Sequence, residues 1–186
     1  MYLTVLSLHS LLRWVVLVAL ILAATAAVRG WTGARPWTSA SARWGRIGVI
    51  AMDVQLLLGL LLYAFLSPMT HSAFANFGAA MRDPISRFWA VEHIFLMVTA
   101  LVAVHVGFAT AKRAVEPVAK HRRTAIGFSL ALVATLIAIP WPGTRTARPL
   151  VRGLSEAPAS IESPLNSGQG DDSAAMPEPG STPAAK

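Results

Sequence analysis

The chain has 186 residues, of which 54% are hydrophobic and only 13% charged, with a mean hydropathy of +0.54 and a formal net charge of +7. A soluble domain carries roughly 25% charged residues, so ordinary globular packing is excluded. The positive residues cluster in short stretches between apolar blocks, a membrane-topology signal and not a phosphate-tracking groove, so no nucleic-acid partner is expected. The absence of cysteine excludes disulfides, iron–sulfur clusters, covalently attached c-type haem and thiolate zinc sites.

The apolar residues form four blocks of the length a bilayer core requires. The first, 4–28, has no positive residue before it and holds Arg13, which argues against a signal peptide and for a helix. A loop follows with Gly30, Gly33 and Pro36 as breakers, four arginines (Arg29, Arg35, Arg43, Arg46) and three tryptophans (Trp31, Trp37, Trp44) suited to the headgroup level. The second block, 47–66, stops at Ser67-Pro68. The loop after it holds His71, expected to be solvated, and ends at Asp83-Pro84, a helix-start signal for the third block, 84–111. Lys112, Arg113, Lys120, Arg122 and Arg123 then precede or open the fourth block, 117–139, which Pro140-Trp141-Pro142 terminates. His121, among these charges, is read as a topology residue.

The fold expected is all-α: a polytopic four-transmembrane-helix bundle over 1–150, followed by a disordered, Pro-, Ser- and Gly-rich tail over 151–186. The basic loops belong in the cytoplasm by the positive-inside rule. Both termini then lie on the outer side of a bacterial inner membrane.

Ionisable residues inside membrane helices cost a few kcal/mol and need a reason. His9 and Arg13 stand on the first helix, Asp53 and Gln55 on the second, and Glu92, His93 and His105 on the third. His9 lies within two turns of the start of its helix, and His93 is roughly 13 Å past Pro84, so the two share a layer. His105 is about 18 Å deeper and turned roughly 120° from His93, so it cannot share a metal ion with it. It falls in the layer of Asp53, where a hydrogen bond to Asp53 or Gln55 is expected. Glu92 points into a third sector. Two histidines at one depth in a four-helix bundle are a place for haem b. Arg13, one turn from His9, would meet Glu92 or a haem propionate; Arg87 and Trp89 are further contacts for a propionate or a quinone head.

The segments His9-Ser10-Leu11-Leu12-Arg13-Trp14, Asp53-Val54-Gln55 with Gly59, Ser67-Pro68, Arg87-Phe88-Trp89-Ala90-Val91-Glu92-His93 and Ile139-Pro140-Trp141-Pro142 together resemble small bacterial four-helix membrane proteins labelled cytochrome b-like. The resemblance covers about residues 1–150. It implies non-covalent haem and membrane electron transfer beside larger respiratory or photosynthetic subunits, in an accessory role and not that of an autonomous enzyme. His9 and His93 are the expected axial ligands. A haem-free structural or assembly subunit is the alternative, and copper or proton handling by His9, Glu92 and His93 is a third reading.

Overall fold

The structure, a computed structural model, describes residues 1–147. The expected tail, 151–186, lies outside the described residues. Every regular element among those described is helical: α1 Tyr2–Thr32, α2 Ser39–Leu61, α3 Pro68–Ala75, α4 Phe77–Ala80, α5 Pro84–Arg87, α6 His93–Arg113 and α7 Pro117–Ala138. A π-turn, Leu62–Leu66, prolongs α2, and a second, Phe88–Glu92, joins α5 to α6.

Three helical runs are long and apolar enough to cross a membrane: Tyr2–Thr32, Ser39–Leu66 and Pro84–Arg113. They make this a membrane protein by length and composition. The expected fourth block is also a helix, packed on α1 and α6. Its first turns, however, carry Lys120, His121, Arg122 and Arg123, and the apolar remainder falls short of the other three.

Local chemistry sets the helix ends. Thr38 caps α2, its hydroxyl accepting from the Ser41 amide while the Ser41 hydroxyl accepts from the Thr38 amide. Ser67 both ends the first π-turn and caps α3, with Pro68 in the first turn where a missing N–H costs nothing. Asp83 does the same for α5 ahead of Pro84. Hydrogen bonds from Ser86 hold the Asp83 carboxyl below its ordinary pKa. At the other end of α6, Arg123 Nη1 donates to the Thr110 carbonyl at 2.8 Å, covering a group the helix end leaves open.

The core runs down the bundle through Val16, Leu20, Met52, Val104, Phe108 and Phe128. Small residues let the helices approach. A Cβ on Gly127 would stand 2.5 Å from the Ala103 carbonyl oxygen and 2.8 Å from the Gly107 Cα, so α6 and α7 meet backbone to backbone. The α2–α6 seam is sparser than the α6–α7, α1–α7 and α1–α2 seams.

The segment expected as a loop after the second block is folded. Helix α3 turns back on the π-turns through Thr70 and Ala73, and the Thr70 hydroxyl bridges the Tyr63 and Ser67 carbonyls at 2.9 and 3.0 Å. His71 is exposed as expected, with Nε2–H toward the Ala64 carbonyl at 3.3 Å. His121, expected as a topology residue among the basic charges, is instead a packed one. It is 3% exposed, its Nε2–H points to the Pro36 carbonyl at 3.4 Å, and its ring meets Trp37 edge-on at 4.8 Å. Its spacing to Ala125 and Phe128, four and then three residues on, is that of one helix face, and both of those are buried.

Candidate functional site between the helices

A cavity opens between α1, α2, α6 and the end of α7, toward the end of the bundle that carries α3. Its volume is about 160 Å³, and its walls include His9, Arg13, Gln55, Tyr63, Trp89 and His93. Aliphatic side chains and Met52, Met69 and Met97 make up much of the rest of the lining.

His9 and His93 face each other across this space, with ring centroids 6.5 Å apart and planes at 69°. The His93 Nδ1–H donates to the Ala138 carbonyl at 3.0 Å. That carbonyl lies in the last turn of α7, where helix geometry leaves it without an amide donor. The bond fixes the ring, and in the neutral imidazole it leaves the lone pair on Nε2. Phe88 and Trp89 flank the same ring at 5.9 and 5.5 Å.

His9 is held differently. The Gln55 amide donates to the His9 carbonyl at 3.1 Å and reaches the ring Nε2 at 3.3 Å. His9 Nδ1 and Gln55 Oε1 are buried without a hydrogen-bond partner, polar atoms that a cavity occupant would satisfy. Gly59 lies beside the ring, its absent Cβ 3.1 Å from His9 Cε1. Gln55 therefore belongs with His9 and not with the deeper Asp53 and His105, where the sequence reading put it. Two residues turn a helix by about 200°, so Asp53 and Gln55 face opposite ways.

Arg13 lines the cavity one turn from His9, as expected. Its Nη2 lies 3.5 Å from Ser10 Oγ, and its guanidinium sits 5.3 Å from the Trp14 ring. It does not meet Glu92. That carboxylate takes Arg87 Nε at 2.7 Å, and Arg87 Nη1 reaches the Met81 carbonyl at 3.4 Å. Arg87 and Glu92 thus form a half-exposed ion pair outside the cavity lining, while Trp89 lies inside it. His9, Glu92 and His93 do not converge, and no group of three or more His, Asp or Glu residues among the described residues could hold a metal ion. The expected His105–Asp53 bond is present: Nε2–H donates to Oδ1 at 2.8 Å.

Sequence reasoning missed two structural residues of this site, Ala138, which orients His93, and Tyr63, whose hydroxyl ties the π-turns together. The π-turns carry Tyr63 and Trp89 into the cavity lining, and such turns recur at functional sites. No family model, curated protein or solved structure matches this chain.

Proposed function

We propose that the cavity holds a non-covalent haem b, with His9 and His93 as its axial ligands, in a membrane protein that passes single electrons to and from partner subunits or quinone. The observation that carries this reading is the facing pair itself. A metal–imidazole nitrogen bond is about 2 Å, so two imidazoles on opposite sides of one iron have centroids roughly 6 Å apart. The 6.5 Å between His9 and His93 suits that spacing.

The donor set also fits. A ligating histidine commonly donates its other ring N–H to a carbonyl, as His93 does to Ala138. His9 is weakly committed: its contact from Gln55 to Nε2 is long at 3.3 Å and its Nδ1 has no partner. The ligand pair needs no third metal-binding residue. Arg13, in the cavity wall, supplies a cation for propionate carboxylates. Bound haem would supply a one-electron iron couple; the largely apolar walls would keep water from it, and Trp89 flanks His93 in the lining. Arg87, engaged by Glu92, belongs to the rim in this reading.

The same reading takes α7 as a fourth crossing, with its basic first turns at the cytoplasmic interface. Loops 29–46 and 112–123 then face the cytoplasm of a bacterial cell, and the end bearing the cavity faces outward. Haem content per chain tests the proposal. The purified protein is expected to hold one haem, and His93→Ala and His9→Ala each to lose it while the protein still inserts. Full haem retention in either variant contradicts the ligand assignment, and a haem-free wild type favours a structural or assembly subunit.

A further inference from the structure

The Asp53–His105 pair lies in a different part of the molecule from the haem proposal and does not depend on it. Asp53 is about seven residues past Arg46 and His105 about eight short of Arg113, so both lie roughly 10–12 Å along their helices from the arginine-rich end. At that depth hydrocarbon surrounds any side chain that other protein does not cover. Yet the side chains of His105 and Asp53 are 48% and 41% exposed. They bridge α2 and α6 at the sparsest seam of the bundle.

The surface around them is aliphatic: Ile50, Val54 and Leu57 on α2, and Val98, Val102 and Val106 on α6, are all exposed. A polar pair inside such a face is costly against lipid. The pair is also half-used. His105 Nε2–H serves Asp53 Oδ1, whereas His105 Nδ1 and Asp53 Oδ2 make no hydrogen bond among the described residues.

We infer that this face is an interface with a second copy of the chain, related by a two-fold axis along the membrane normal. Such an axis leaves depth unchanged, so each copy brings its own pair to the same level without further adjustment. The remaining groups are complementary. With the imidazole doubly protonated, Nδ1–H of each His105 donates to the free carboxylate oxygen of the other copy's Asp53, closing a ring of two cations and two anions with no net charge. A foreign helix would need a donor and an acceptor at one matching depth to do as well. Apolar contact between the two aliphatic faces surrounds and dries the ring.

The chain has no cysteine, so single cysteines report proximity cleanly. Val102→Cys and Val54→Cys, on this face, and Leu130→Cys, on the exposed face of α7, are oxidised in native membranes in the otherwise unaltered chain. The first two are expected to give a disulfide-linked dimer of this chain, and the third none. In lipid nanodiscs or detergent, adding His105→Leu to Val102→Cys is expected to weaken association by about tenfold, the size of the two interhelical polar contacts that the dimer then loses. Equal cross-linking from α7, no dimer from either seam position, or linkage of Val102→Cys to a different protein overturns the inference. So does a dimer whose affinity is unchanged by His105→Leu.

Discussion

The Tyr63 hydroxyl donates to the Ala90 carbonyl at 2.6 Å. Each residue sits in a π-turn, Tyr63 in the one that prolongs α2 and Ala90 in the one that opens α6. A wider helical pitch disturbs the regular ladder, and here one of its carbonyls takes a side-chain donor from the facing helix. The bond therefore ties the two π-turns together beside the cavity, across the sparse α2–α6 seam. Tyr63→Phe should keep the fold and cost about 1 kcal/mol. Thermal unfolding in detergent measures it, and in the haem reading the variant releases haem faster than wild type.

The Gly107–Gly127 crossing should tolerate no added carbon. Alanine at Gly127 would press its Cβ against the Ala103 carbonyl oxygen and the Gly107 Cα, both backbone atoms that cannot swing aside. Overpacking of this kind costs about 1–3 kcal/mol. Gly127→Ala is thus expected to lower the melting temperature in detergent clearly, whereas Gly78→Ala, where nothing lies within 4 Å, should leave it nearly unchanged.

At the arginine-rich end, Gly30 leaves the room that the His121 ring fills, and a Cβ at Gly30 would overlap that ring. Gly30→Ala should expel the ring and release Trp37, with a red-shifted tryptophan emission as the readout. In a Gly30→Ala/His121→Ala double variant the clash has no partner. The combined loss of stability should therefore be smaller than the sum of the two single losses.

The Asp83 cap gives a pH dependence of defined sign. Hydrogen bonds from Ser86 hold its carboxyl below the ordinary value, so the folded state favours the ionised form. The stabilisation is complete above the unfolded value of about 4 and is lost as pH falls through the lower folded value. Amide exchange at Ser86 should be faster in Asp83→Ala than in wild type at neutral pH. That difference should vanish once the wild-type carboxyl is protonated.

The long helices are legible in the sequence because apolar runs bounded by Pro, Gly and basic residues leave few other options. The helix α7 is legible in the same way, while its charged turn at 120–123 leaves its apolar part shorter than those of the three long runs. Short capped helices such as Pro68–Ala75 look like a loop, since their hydrophobic residues are too few to show a period. The π-turns have no pattern that spacing would reveal. Within the site, depth arithmetic aligns His9 with His93 and Asp53 with His105. The rotation between Asp53 and Gln55 was equally available from their spacing and separates the two layers. What no sequence pattern announces is the Ala138 carbonyl, because a backbone acceptor carries no side-chain signature, or the capture of Glu92 by Arg87, which depends on the local turn at Phe88.

The facing histidines remain the centre of the account, and an absorption spectrum of the purified protein tests them most directly. The protein from haem-replete cells is recorded oxidised and then reduced with dithionite. The wild-type protein is expected to show the sharp reduced-minus-oxidised bands of a low-spin haem with two imidazole ligands, absent in His93→Ala. A wild-type protein with no haem bands in either state would contradict it.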